Sequence, residues 1–392
     1  MVLFAVVALL ILVITHAWLG FRLAAPFSPG AARLIWGLVI TSAVALPLTL
    51  MLTRASGGKL AVLVGTAGFL LMGLWSILVA GMLVWELSRG ALWLWDVAAG
   101  VIAPSISSAA WLPADASGLY RGGVLTMLAL TGLVGVLGAL GGRASPTVER
   151  VQLIVPGLHP SLVGLRIAQI SDIHVGPTIR RAFVQDMVER VNGLDPHLVA
   201  LTGDLVDGPV SGLHTETAPL ADLQAPLGLY FVTGNHEYYS GVLDWLAELQ
   251  RLGFTTLVNE HVVVDHAGAP LVVAGVTDER GGSIVPSHAP DPVAALAGAP
   301  EGALRLMLAH QPRSATAAAE AGADIILSGH THGGQYIPWT WAIHLVEPFI
   351  RGYYRVGDAQ LWVNRGTGTW GPPLRLGSTT EITLIELAAG PG

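Results

Sequence analysis

The chain has 392 residues, of which 52% are hydrophobic and only 12% charged, and it carries a formal net charge of −7. Its mean hydropathy is +0.60. Soluble proteins average about 25% charged residues, so the composition excludes a wholly soluble chain. The absence of cysteine excludes disulfides and thiolate metal sites.

The charge deficit is concentrated at the front. Residues 1–145 hold seven basic and three acidic side chains, a net of +4, whereas the remainder holds thirteen and twenty-four, a net of −11. Twelve of the thirteen histidines also lie beyond residue 150. Two chemically different parts are therefore joined in one chain.

In the front part, stretches 1–21, 34–53, 60–85 and 122–142 contain no Asp, Glu, Lys or Arg. Each reaches the roughly 20 residues that a helix needs to cross the hydrocarbon core. One such stretch could be a signal peptide, but four predict a multi-pass membrane domain over 1–142. A further apolar stretch, 91–112, is interrupted by Asp96 and Pro104 and reads as a re-entrant or interfacial segment. His16, near the end of the first stretch, reads as interfacial. Basic residues fall two to each loop, so they do not orient the chain in a cell membrane or say which face carries the rest.

Residues 143–150 read as a polar linker to a domain over 151–392. Strand-length apolar runs follow, at 151–155, 165–172, 198–204, 228–237, 271–276, 304–310, 324–330, 361–366 and 381–387. Helical patterns intervene at 179–194 and 242–253. Near-continuous apolar strands alternating with helices predict an α/β domain with covered sheets. Ligands of open α/β sheets collect beyond the carboxyl ends of strands. Here those ends carry Asp172, His174, Asp204, Asn235, His236, His310, His330 and His332.

Carboxylate and imidazole donors without sulfur suit Mn, Fe, Zn, Co or Ni. Two such cations need a shared carboxylate and about three further ligands each. The set divides accordingly. Asp172, His174 and His332 would hold one cation; Asn235, His310 and His330 would hold the other; Asp204 would bridge. His236 remains as a general acid or transition-state donor. His330 and His332, two apart in "SGHTHGGQ", would project to one side if the backbone is extended.

The blocks "SDIHVG", "TGDLVDG", "TGNHEYY", "LAHQP" and "SGHTHGGQ", in this order, resemble the five blocks of calcineurin-like metallophosphoesterases. The tail "NRGTGTWGPPLRLGSTTEITLIEL" resembles the bacterial membrane-linked phosphodiesterase branch of that family. The resemblance covers about 150–387. It implies a four-layer α-β-β-α sandwich and the ligand roles just given. It further implies two divalent cations, with Mn favoured, that activate a bridging water by lowering its pKa from 15.7 towards about 7. That nucleophile would attack phosphorus in line while His236 helps stabilise the phosphoryl oxygens.

The implied activity is hydrolysis of a phosphodiester or pyrophosphate, on a lipid or cell-envelope intermediate given the membrane domain, or else on a soluble phosphodiester or nucleotide. A nucleic-acid track is disfavoured by the −11 net charge. Arg365, with Asn235 and His236, is a candidate contact to substrate phosphate, although a salt-bridged structural role is the simpler reading of Arg365. Asp207 reads either as an orienting partner of a metal ligand or as a turn residue. Glu237 and Tyr238 adjoin His236 and are placed to shape the pocket. Histidines 159, 197, 214, 261, 266, 288 and 344 read as surface or capping residues. The aromatic run "YIPWTWAIHLVEPFI" (336–350) would face lipid or form a buried flap. Two other readings carry less weight. A retired sensor or scaffold would have lost ligands, and a transporter would carry charge within its spans.

Overall fold

The apolar stretches become helices in the computed structural model, which describes residues 2–55, 59–102 and 116–390. They are α1 (Val2–Ala24), α2 (Pro29–Ala55), α3 (Lys59–Ile102) and α4 (Ala116–Gly142). Each is long and apolar enough to cross a membrane by length and composition. The chain divides into two compact units, Met1–Leu137 and Gly138–Gly392.

In the first unit, Leu19, Leu23, Met82 and Val124 form a small core packed by Trp18, Trp75 and Trp85. Other large aliphatic residues, such as Ile14, Leu34 and Leu38, are exposed. Helices apolar on nearly every face suit a lipid surrounding. The expectation of a separate segment from residue 91 is corrected, because α3 continues through Ile102. Its 44 residues span about 66 Å at 1.5 Å per residue, roughly twice the hydrocarbon core. Glu86, a good helix former, lies within α3 with its charge compensated in place. Arg89 lies 3.0 Å and Arg22 3.7 Å from its carboxylate, and Tyr120 Oη donates to it at 3.0 Å. The remainder of the 91–112 stretch lies outside the described residues. His16 is buried, stacked on Trp75 at 4.7 Å.

In the second unit the strands are β1 (Thr147–Val155), β2 (Arg166–Ile170), β3 (Leu198–Leu201), β4 (Leu229–Phe231), β5 (Phe254–Thr256) and β6 (Glu260–His266). They continue with β7 (Ala269–Gly275), β8 (Leu304–Leu308), β9 (Ile325–Ser328), β10 (Gly352–Val356), β11 (Ala359–Val363) and β12 (Glu381–Ala389). Two six-stranded sheets result, ordered β1-β12-β2-β3-β4-β5 and β10-β11-β9-β8-β7-β6. Four of the expected linker residues, 147–150, belong to β1. Parallel pairing with Glu381–Leu384 of β12 recruits their polar backbone into the sheet.

Strand periodicity explains why these runs are apolar throughout. Ile167 on β2 and Leu198 and Ala200 on β3 face Leu306, Leu308, Ile325 and Leu327 of the other sheet. Their neighbours Ala168, Ile170, Val199 and Leu201 point to the opposite face. There they are covered by α5 (Arg181–Asn192), through Val184, Met187, Val188 and Val191 at helical spacing, and by Trp245 and Leu249 of α6 (Val242–Arg251). On the outside of the second sheet, Val272, Ala274, Met307 and Ile326 pack against Ala295, Ala315 and Ala318. This is the four-layer α-β-β-α sandwich. Gln169 ties the layers by donating to the Ser328 carbonyl at 2.9 Å. Strands β2, β3 and β4 run parallel, as do β8 and β9, so the polar residues after them are delivered by five separate loops.

Candidate metal centre

The loops that leave these strands turn abruptly. Asp172, His174, Asp204, His330 and His332 all adopt positive φ, between 51° and 71°. They are five of the nine such non-glycine residues among the described ones. Left-handed backbone at a non-glycine residue costs on the order of 1–3 kcal/mol, and only a well-packed surrounding sustains it. His330 and His332 therefore do not share an extended segment, and they diverge into different clusters. Two glycines make the crowding possible. A Cβ on Gly234 would lie 2.1 Å from Asp204 Oδ1, and one on Gly329 would lie 2.1 Å from Asp172 Oδ2.

The donors gather into two groups with Asp204 at their junction. Asp172, His174 and His332 form one, and Asp204, His310 and His330 form another. In the first, His174 Nε2 and His332 Nε2 lie 3.1 Å apart, and His332 Nε2 is 3.4 Å from Asp172 Oδ1. In the second, His330 Nδ1 lies 3.2 Å from His310 Nε2. Asp204 Oδ2 lies 3.2 Å from His310 Nε2, 3.8 Å from His174 Nε2 and 4.0 Å from His236 Nε2. One carboxylate oxygen thus faces both groups. Asp204 Oδ1 is engaged separately, accepting from the His236 backbone N–H at 2.9 Å.

Surrounding residues fix these side chains. Asp207 Oδ1 lies 3.0 Å from His174 Nδ1 and 2.6 Å from His236 Nδ1, which makes Asp207 an orienting partner rather than a turn residue. Each ring then presents Nε2 inward. Glu237 is fully buried and accepts from three backbone N–H groups, those of Asp204, Leu205 and Gly234, at 2.7–3.0 Å. Arg375, which no sequence motif singles out, donates to the His332 carbonyl at 2.9 Å and lies 3.0 Å from His332 Nδ1. Nothing in the local sequence pairs Arg375 with a histidine 43 positions away.

Electrostatics follow from burial and these contacts. Burial opposes the charged form of Asp204, yet His310 and His236 outweigh it and hold the carboxyl well below its usual range. Burial also opposes charge on His236, but Asp204 and Asp207 raise it to about 9. His310 is likewise raised, chiefly by Asp204 against its burial. His330 is pushed down to about 3 by burial and by His310, so its ring is neutral and ready to ligate. Burial, followed by the Asp204 charge, lifts Glu237 to about 7.

The Arg365 guanidinium is paired with Glu381, and with Glu149 at 2.9 Å. The basic groups beside the donors are others. A cleft of ≈ 410 Å³ is lined by Asn235, Tyr239, Arg280, Gln311, Arg313 and His330, among others. Arg313 is paired with Glu347 at 2.5 Å, while no ion pair engages Arg280 among the described residues. Tyr238 turns away to bond His288 at 2.9 Å, and His288 is buried rather than on the surface.

Two divalent cations fit this arrangement. The buried Asn235 Oδ1 has no hydrogen-bond partner, which is costly unless something else satisfies it. Paired imidazole nitrogens approach each other at 3.1–3.2 Å in each group. The donors are nitrogen and oxygen, and the other ring nitrogens of His174 and His310 face acceptors, the Asp207 carboxylate and the Thr202 carbonyl. We expect Asp207→Ala to weaken Mn binding by about 10–100-fold, as loss of such orienting partners generally does. A Mn titration of the purified variant checks this, and unchanged affinity would reduce Asp207 to a loop residue.

A sandwich carrying two imidazole–carboxylate clusters about one shared carboxylate defines a domain of the metallohydrolase type. The chain belongs to the calcineurin-like phosphoesterase family, whose profile matches residues 165–334. Among its relatives, a "Transmembrane protein with metallophosphoesterase domain" of Bos taurus is 40% identical over 279 residues, covering 68% of this chain and 62% of that protein. An uncharacterized metallophosphoesterase of Aquifex aeolicus is 34% identical over 232 residues, covering 58% of this chain and 87% of that protein. A solved 5'-nucleotidase precursor from Thermus thermophilus is 16% identical, covers 57% of this chain and 54% of its own, and superposes with a TM-score of 0.35. The match spans 62% and 64% of the bovine and Danio rerio relatives, which share the same name. With its four apolar helices, this chain is a membrane protein.

Proposed function

We propose that the chain is a membrane-anchored, metal-dependent phosphoesterase that hydrolyses a phosphodiester or pyrophosphate bond, acting on a substrate held at the membrane. The observation that carries this reading is Asp204 Oδ2, directed at His310 of one cluster and His174 of the other. Asp172, His174 and His332 would hold one cation, and Asn235, His310 and His330 the second, the oxygen and nitrogen donors suiting Mn, Fe, Zn, Co or Ni. When bound, the pair supplies Lewis acidity to the phosphoryl group and a nucleophile from water at neutral pH.

The protein's own groups do the rest. Asp207 holds His236 Nδ1, so the ring keeps a proton at Nε2, directed into the site. That proton can be given to a phosphoryl or leaving-group oxygen. Arg280, beside Asn235 and His330, offers a cation to the substrate's charged portion in place of Arg365. Hydrolysis of an aryl phosphodiester and an aryl monoester by the detergent-solubilised full chain, with Mn added and withheld, tests the reading. Turnover that needs Mn and falls about 10²–10⁴-fold in His236→Ala supports it, a range typical of lost acid–base assistance. Equal turnover without metal would sink it.

Cation binding should also release protons. His310 is raised above its ordinary value and so carries a proton at pH 7, but a ligand imidazole must be neutral. Calorimetric titration with Mn in two buffers of different ionisation enthalpy should report at least about one proton expelled per chain, with affinity rising from pH 6 to 8. Heats independent of buffer would contradict the protonation assigned to His310.

A further inference from the structure

The segment that follows the His330/His332 loop is neither a buried flap nor polar. It forms a short helix at Trp339–Ala342 and a further helical turn at Ile343–Leu345. Large apolar residues stand in the open there: Trp341 and Val346 are each 68% exposed and Leu345 is 87% exposed. The one acidic residue between 336 and 350, Glu347, is neutralised by Arg313, and the exposed Arg351 follows directly. The patch adjoins the catalytic groups through contacts within this unit. Gly334, two residues after His332, packs so closely on Thr340 that a Cβ there would meet the Thr340 Cα at 2.5 Å. Gln335 accepts from the Trp370 backbone N–H at 2.9 Å, and the half-exposed Trp370 ring lies 5.9 Å from that of His236.

We infer that this patch is a docking surface for the bilayer interface, which presents lipid-borne phosphoesters to the neighbouring site. Exposed tryptophan beside aliphatic residues and a flanking arginine is the composition that settles at the headgroup boundary. The occupant follows from the chain itself, since its own apolar helices tether this unit to a bilayer and keep lipid at high effective concentration. The substrate half of the inference rests on the hydrolase reading; the docking half does not.

The absence of native cysteine makes a direct test possible. Leu345→Cys in the full chain, labelled with an environment-sensitive fluorophore and reconstituted in nanodiscs, should be quenched by lipids carrying a nitroxide near the headgroup. The same label at Val293→Cys, an exposed site elsewhere in the unit, should not be quenched. A label at 345 as unquenched as the control, or one buried only when two copies share a disc, overturns the docking surface. In a second arm, the combined Trp341→Ser, Leu345→Ser and Val346→Ser variant should lose at least tenfold on a phosphodiester lipid in the disc while keeping its rate on a soluble aryl diester. Equal losses on both substrates, or none on the lipid, overturn the presentation role. If neither substrate is cleaved even by the parent chain, the hydrolase reading fails and the quenching result still decides docking.

Discussion

Replacing Asp204 with asparagine is expected to reduce turnover by three orders of magnitude or more while leaving the fold intact. The asparagine keeps an oxygen for the His236 backbone N–H, and Glu237 still accepts from the residue-204 backbone N–H. What disappears is the charge on Oδ2, the atom facing His310 at 3.2 Å and His174 at 3.8 Å. A carboxylate shared by two cations contributes several kcal/mol of charge stabilisation, and about 4 kcal/mol corresponds to roughly 10³-fold in rate. The variant should also bind only one cation tightly. Steady-state kinetics with saturating Mn, beside a far-UV spectrum and melting curve, would check both. More than a tenth of parental activity would mean that Asp204 is not the shared ligand.

The second large effect falls on stability. Glu237→Ala should destabilise the protein by about 3–9 kcal/mol, because three buried N–H groups lose their acceptor at about 1–3 kcal/mol each. A native domain is stable by only about 5–15 kcal/mol, so this variant is expected to be partly unfolded at 37 °C. Glu237→Gln should recover part of the loss, since its single carbonyl oxygen still accepts while its amide N–H₂ faces donors. Denaturant titration of the three proteins gives the order. If alanine costs less than about 1 kcal/mol, water satisfies those donors and the carboxylate does not organise the Asp204 loop.

These two residues mark the boundary of what the sequence makes legible. Asp204 ends a run of apolar strand residues, and a charge in that setting stands out because both faces of the strand are covered. The same contrast exposes Asp172, Asn235, His310, His330 and His332. Glu237 is different. Two of its three partners are backbone groups of a loop 32–33 positions away, and backbone donors leave no trace in residue type. Asp207 is ambiguous for a related reason, since an Asp before Gly is a common turn and only its approach to His174 and His236 gives it a role.

Arg365 and Arg375 show the limit in both directions. Arg365 stands in a conspicuous "NRG" after a strand, yet Glu149 and Glu381 consume it. Arg375 stands among prolines and leucines, yet it holds His332. In the fold, the strands missed from sequence are β5, only three residues long, and β6 and β10, where exposed and half-buried positions alternate. The continuation of α3 past residue 91 is masked in the sequence by Asp96, which interrupts the apolar run.

The most direct test of the central claim is metal stoichiometry read against activity. The full chain would be stripped of metal, reloaded with increasing Mn, and measured for bound metal by mass spectrometry and for aryl phosphodiester hydrolysis on the same samples. Two Mn per chain, with activity appearing as the second is filled, is the predicted result. Full activity at one Mn or none, or two Mn bound by an Asp204→Asn chain that still turns over normally, would contradict a dinuclear centre built on Asp204.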